Sequence, residues 1–169
     1  RIWVNCYVQF FSTLWSKRTA NPELEAILKN ILGFTPKNKS LYQTAFTHRS
    51  VNIKNDNGVL INFERLEFLG DSVLNLCIAN LLYQRLHTLP EGDLSRVRAN
   101  LVKQDTLHHL AVEMGLPQML RLGEGELRSG GQKRPSILAD ALEAVLGAVY
   151  LDAGFAQADA LVQRIFAAV

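Results

Sequence analysis

The sequence predicts an all-helical domain, and three observations carry that prediction. Apolar residues recur at the helical period over stretches longer than a typical strand. The five prolines, Pro22, Pro36, Pro90, Pro117 and Pro135, fall between those stretches and not within them. An apolar content of 48% in 169 residues, with nearly balanced charge, is enough for one core and excludes wholesale disorder.

The elements follow in order. Asn21-Pro22 opens a short amphipathic helix with Leu24, Ile27, Leu28 and Ile31 on one face, and Gly33 stops it. Ser40 is expected to cap a second helix through Leu41, Ala45 and Phe46 to about Ser50. The polar run from Asn52 to Gly58 reads as a loop. From Asn62 an apolar-periodic stretch runs to about Leu86 and is expected to be the central helix, ended by Thr88-Leu89-Pro90. Asp93 is expected to cap the next helix, and Lys103 to Asp105 to break it before Leu107–Met114. Gly115 to Arg134, rich in glycine and charge, reads as a connecting loop with little regular structure. Ser136 is expected to cap a last long helix to about Leu151, and Phe155 to Ala168 makes a terminal one. No internal repeat or low-complexity tract occurs.

No stretch reaches the roughly 18 uninterrupted apolar residues of a membrane helix. The apolar start, Arg1 to Phe11, is interrupted by Asn5 and Gln9 and lacks the plan of a signal peptide, so residues 1–20 are set aside as an extension. With no initial Met, the sequence is expected to be a processed or excised piece. Cys6 and Cys77 do not form a metal-ligand spacing; Cys77 lies among Leu74, Leu76 and Ile78, where a small apolar residue fits, and a reducing cytoplasm is the expected setting.

The informative feature is the disposition of acids on two helices. On the stretch from Asn62, winding places Leu66, Leu69, Val73, Leu76 and Cys77 on a core stripe, and Glu64, Glu67 and Asp71 in a row opposite, with no Lys or Arg between them. Like charges so spaced cost an isolated helix about 0.2–0.5 kcal/mol per pair. The helix after Ser136 repeats the plan: Leu138, Leu142, Val145 and Val149 make the core stripe, Asp140 and Glu143 lie on the other side, and Gly147 beside them leaves room for a close neighbour. Two such helices can build an all-oxygen site for a hard divalent cation, with Mg²⁺ the natural choice. Acids on a polar helix face are more often simply solvated, so spacing alone is a weak signal. His48, His87, His108 and His109 share no metal-binding spacing and read as surface or packing residues; no nucleophilic triad or phosphate loop stands out. Net charge is +2, and with Glu67, Asp71, Asp140 and Glu143 gathered into one site the rest of the molecule carries +6, an electropositive shell suited to a polyanion.

The stretch from Asn62 to Ser72, Asn-Phe-Glu-Arg-Leu-Glu-Phe-Leu-Gly-Asp-Ser, resembles the signature of the ribonuclease III family, departing at Phe63, where the family has Asn directly before the first Glu. The likeness continues through Glu91 to Arg96 and Leu122 to Glu126 and ends with Ser136 to Ala144. Four blocks in order, with the acids in register, make chance similarity very improbable. The resemblance implies an all-α endonuclease fold over residues 21–169 and a homodimer with Phe68 at the dimer contact. It implies Glu67, Asp71, Asp140 and Glu143 as the catalytic metal ligands, with Glu64 and Glu91 as secondary acids of the cleft. The implied activity is cleavage of double-stranded RNA to 5′-phosphate and 3′-hydroxyl ends with short 3′ overhangs, in RNA processing. Phosphodiester chemistry then calls for one Mg²⁺ at the four acids to activate water and a second, bound with substrate, to help the leaving 3′ oxygen; Mn²⁺ is a candidate substitute. A non-catalytic RNA-binding scaffold of the same fold is the alternative, against which the presence of all four acids counts. Recognition is expected to be by A-form shape, with Arg96, Arg98, Lys103, Arg128, Lys133 and Arg134 as candidate phosphate contacts. Many members of that family carry a further double-stranded RNA binding domain after the catalytic one; nothing past Phe166 is expected to encode it, so the sequence is expected to be either truncated or a minimal form.

Overall fold

The computed structural model describes residues 22–167; the expected extension 1–20, Asn21, the side chain of Leu24, and Ala168 lie outside the described residues. Nine α-helices are present among them: α1 (Pro22–Leu32), α2 (Lys39–Ala45), α3 (Glu64–Arg85), α4 (Glu91–Leu101), α5 (Gln104–Glu113), α6 (Leu116–Met119), α7 (Glu124–Arg128), α8 (Pro135–Ala153) and α9 (Phe155–Ile165). The single sheet described is a hairpin of two-residue strands, β1 (Ile53–Lys54) and β2 (Leu60–Ile61), paired antiparallel.

The middle of the molecule is α8, not α3 as expected. From Ile137 to Val149 its residues are buried all round except Asp140 and Glu143, which is the pattern of a helix enclosed by others. It packs on α3, α5, α9 and α2. The core stripe of α3 is Leu66, Gly70, Val73, Leu74, Cys77, Ile78 and Leu82. Leu69 is half-buried against it, but Leu76 is 56% exposed. The expected stripe was therefore centred a little off, because α3 meets α8 through a glycine, which carries no hydrophobic signal. By length and composition α3 would also pass for a membrane span, yet its apolar side packs against α8.

Two glycines set that contact. A Cβ on Gly70 would lie 1.7 Å from the Glu143 carbonyl oxygen, and one on Gly147 would lie 2.3 Å from the Leu66 carbonyl oxygen. The space expected beside Gly147 is thus filled by the backbone of α3.

Other boundaries differ from expectation for local reasons. The second helix ends at Ala45, and Arg49–Val51 forms a separate 3-10 turn followed by Asn52 in the left-handed region (φ 56°). Ser40 lies within α2; the backbone just before the helix is held from afar by Asp152, which accepts from Lys37 N (3.0 Å), Asn38 N (2.8 Å) and the Tyr42 hydroxyl (3.0 Å). The expected loop after Asn52 contains β1. Asp93 sits inside α4, paired with Arg96, and Pro90 and Arg134 occupy the cap positions expected for Asp93 and Ser136. The break after α4 comes at Val102 and Lys103, starting one residue earlier than expected. The segment 115–134 is more regular than expected, being α6, α7 and a 3-10 turn (Gly131–Lys133). Leu116, Met119, Leu120 and Leu122 of that segment enter the core.

Candidate active site

Near the Gly70–Gly147 crossing, α3 and α8 bring their acids together. Carboxylate oxygens of Glu67, Asp140 and Glu143 lie within 4.8 Å of one another. Oxygens around a bound divalent cation are spaced on this scale, so the donor set fits a hard cation that draws its remaining ligands from water or phosphate. Asp71, one turn beyond Glu67, is more exposed and takes the Asn75 amide at 2.9 Å. It stands outside the trio but close enough for its charge to bear on Glu143.

The electrostatics are those of acids crowded before a cation arrives. Burial, then the charges of Asp71, Asp140 and Glu67, push the Glu143 carboxyl up to about 8. Glu67 is raised by burial first, then by Asp140, Glu64 and Asp71, and Asp140 by burial; the Arg49 charge opposes both shifts. Partly buried carboxylates kept this close are costly unless neutralised, by proton or by metal.

A cleft of about 560 Å³ opens from Glu67 and Asp140 toward His48, Arg49, Ser50, Phe63, Glu64, Glu126, Arg134, Ser136 and Ile137. Phe63 is buried and its ring lies 5.6 Å from that of His48. The polar contact at the start of α3 is made by Asn62, whose Oδ1 accepts from Glu64 N (3.0 Å) and whose amide faces the Glu64 carboxylate (3.3 Å). Phe63 therefore takes a packing role while its neighbour holds the helix start.

The remaining sequence candidates are dispersed. Glu64 is on the cleft, paired with Arg49 at 3.3 Å. Glu91 is exposed at the start of α4 and accepts from Ser95. Arg96 and Arg128 pair within their own helices with Asp93 and Glu124. Arg98 is half-buried, and Lys103 and Lys133 are exposed. Arg134 lies in the cleft, bound to Glu126 at 2.6 Å and to the Ser129 hydroxyl at 3.2 Å. Phe68 is 80% exposed and continues along α3 into Leu76 and Tyr83, the latter 75% exposed. Positions 68, 76 and 83 share one face at the helical period, so α3 carries an outward apolar stripe besides its core stripe.

Sequence reasoning missed His48, Arg49, Ser50, Glu126 and Ser136 as cleft residues. For His48, Arg49 and Ser50 the available signal is the polar run from Thr47 to Ser50 after an apolar helix, which a helix read through to Ser50 hides.

Comparison with known proteins assigns the chain to a family. Residues 38–169 match a family model described as ribonuclease-III-like. The protein named ribonuclease 3 of Albidiferax ferrireducens is 70% identical over 132 residues, covering 78% of this chain and 55% of that protein. Its namesake in Variovorax paradoxus is 67% identical over 129 residues, covering 76% of this chain and 54% of that one. The chain thus spans about half the length of these curated relatives. Among solved structures, a nuclease domain of ribonuclease III from Campylobacter jejuni, described as having structural flexibility in a region involved in dimer formation, superposes with a TM-score of 0.75. It is 38% identical, with 82% of this chain and 93% of that chain covered. Dicer from Pichia stipitis superposes with a TM-score of 0.58 at 28% identity, with 78% of this chain and 55% of that chain covered. With the fold, the acid-bearing helices and the sequence all in agreement, the chain belongs to the ribonuclease-III-like family.

Proposed function

We propose that residues 21–169 form the catalytic domain of a metal-dependent endoribonuclease that hydrolyses double-stranded RNA as a homodimer, leaving 5′-phosphate and 3′-hydroxyl ends with short 3′ overhangs. The observation that carries this reading is the convergence of Glu67, Asp140 and Glu143 from two helices into one acidic site beside an open cleft. Glu67, Asp140 and Glu143 would hold Mg²⁺, with Asp71 joining directly or through water. A divalent cation bound there supplies water activation and neutralises charge on the phosphoryl group.

The protein's own groups do the rest. Burial and the neighbouring acids favour the protonated form of Glu143, and a divalent cation held by its oxygens would favour the carboxylate instead. The backbone contact at Gly70 fixes the Glu143 carbonyl, and with it the turn of α8 that carries the acids. Glu64 and Glu91 serve as secondary acids; Arg96, Arg98, Lys103, Arg128, Lys133 and Arg134 serve as phosphate contacts of the duplex. The stripe of Phe68, Leu76 and Tyr83 is the face for the second subunit, an apolar patch that a partner copy would cover. Work in the cytoplasm, without membrane attachment, in processing of RNA precursors completes the reading, and the buried free thiol of Cys77 is consistent with a reducing compartment.

The test is cleavage of a simple RNA duplex with Mg²⁺, with Mn²⁺, and with EDTA. Cleavage that needs the metal and vanishes in EDTA supports the reading. Tight duplex binding without cleavage under any divalent metal would overturn it in favour of a scaffold.

A further inference from the structure

Arg49 stands at the mouth of the cleft on a backbone that is over-determined for a surface turn. His48 Nδ1 accepts from Ser50 N at 3.2 Å and meets the Ser50 hydroxyl at 2.7 Å, and that hydroxyl accepts from Gly123 N at 2.9 Å. His48 N donates to the Arg121 carbonyl at 3.0 Å, and Thr47 bridges to the same residue. Gly123 is packed so tightly that a Cβ on it would lie 2.3 Å from the Ser50 carbonyl oxygen. The turn flanking Arg49 is thus tied down on both sides.

The side chain is the opposite. Its contact among the described residues is with Glu64, 3.3 Å from one terminal nitrogen, and 71% of the side chain is open to solvent. An exposed pair of this length is weak, and a guanidinium has five N–H donors. Arg49 can therefore keep Glu64 and still offer several donors to an incoming anion. Its charge already bears on Glu67 and Asp140. The other arginine of the cleft, Arg134, is held more closely, at 2.6 Å by Glu126, and its side chain is less open, at 44%.

An acid cluster repels the phosphodiester it is meant to cut, and a fixed cation beside it would offset that repulsion where the chain must approach. Resting on the function proposed above, we infer that Arg49 is a substrate-binding residue, taking a non-bridging phosphate oxygen of the RNA strand beside the Glu67–Asp140–Glu143 site while Glu64 aligns its guanidinium.

The test uses the full chain as Arg49→Gln and Arg49→Lys. Binding of a fluorescein-labelled RNA duplex is followed in EDTA across a salt series, and cleavage of the same duplex in Mg²⁺ gives KM and kcat. For Arg49→Gln the slope of log Kd against log salt should fall by about one, the signature of a lost phosphate contact, with weaker binding, a KM raised about tenfold and an unchanged melting temperature. Arg49→Lys should restore most of the slope but less of the KM, since lysine presents a point charge in place of a planar fork. An Arg49→Gln protein with the wild-type salt slope and KM overturns the assignment. So does one whose slope is unchanged while its metal affinity or pH profile shifts, which would make Arg49 a modulator of the acids. Wild-type protein in the same assays separates the two readings: if wild type neither binds nor cuts the duplex, the proposed function fails and takes the Arg49 assignment with it. If wild type cuts and Arg49→Gln matches it, the Arg49 assignment alone fails.

Discussion

Replacing Gly70 with alanine tests whether the α3–α8 crossing holds both the fold and the acidic site. The added Cβ would fall 1.7 Å from the Glu143 carbonyl oxygen and 2.5 Å from its carbon. Ordinary carbon–oxygen contacts are about 3.3–3.6 Å, so the helices must separate by roughly 1.5 Å or more. Both sides of the clash involve backbone, and no flexible side chain can swing away. Nor can α8 recede, since α5, α9 and α2 pack against it. Overpacking of this kind costs about 1–3 kcal/mol, and the rigidity of both partners places it near the top of that range. Alanine returns about 1 kcal/mol of helix propensity, leaving a net loss of about 2 kcal/mol. For a domain of this size that lowers Tm by roughly 4–8 °C. The assay is thermal melting by circular dichroism, with Gly92→Ala as control: Gly92 is also helical but a Cβ there meets nothing within 4 Å, so its Tm should hold or rise. Calorimetric titration of Gly70→Ala with Mn²⁺ should show weakened binding, because the clash displaces Glu143 itself. A Gly70→Ala protein that melts with wild type and binds metal as tightly would refute the reasoning.

Other expectations follow from the same geometry. Glu143→Gln should abolish duplex cleavage while the metal-free protein melts at or above the wild-type temperature near neutral pH, because the substitution removes one of the crowded acids; an active or collapsed variant would contradict the metal-ligand assignment. In EDTA, stability should decline as pH rises. The folded state raises Glu143 from an ordinary 4.5 to about 8 and raises Glu67 and Asp140 as well, so it binds more protons than the unfolded state, and stability present below about pH 4.5 is lost progressively toward pH 8. Saturating Mg²⁺ should flatten that decline, and melting curves across the interval, with and without the metal, decide it. Phe68→Ala should shift a dimer toward monomer and lower cleavage sharply with the acids untouched. Sedimentation over a concentration series, paired with the cleavage assay, would expose the error if the variant stays a fully active dimer.

How far the sequence carries depended on whether the deciding signal was local. Helical periodicity found α1, α3, α8 and α9 with nearly correct ends because their faces are set by burial. It misjudged Leu76, since an exposed apolar stripe on α3 has the same spacing as a core stripe. Cap assignments failed at Ser40, Asp93 and Ser136: Asp152, more than a hundred residues away, holds the backbone before α2, while α4 and α8 start after Pro90 and Arg134 with no side-chain cap. The acids could be listed from their spacing and the family likeness, but their meeting at one point depends on Gly70 and Gly147. Glu126 and Arg134 could not be joined to His48 and Arg49 from sequence, because they reach the cleft from opposite sides of α3 in the chain.

Asp152 also limits where the chain can gain or lose length. The same rod, α8, carries Asp140 and Glu143 toward one end and Asp152 toward the other, where that carboxylate fastens the start of α2. A few residues later α2 delivers the turn that carries Arg49 to the cleft. With a rise of about 1.5 Å per residue, the distance along α8 from Asp140 to Asp152 is roughly 18 Å, and it serves as a ruler between the acids and the cleft wall. One residue inserted between Glu143 and Asp152 would turn the carboxylate by about 100° and release α2. The turn around Gly58, by contrast, is exposed, and a Cβ on Gly58 would meet nothing within 4 Å. Length variation among descendants of this sequence should therefore collect in that hairpin and be purged from α8, even at positions far from any acid.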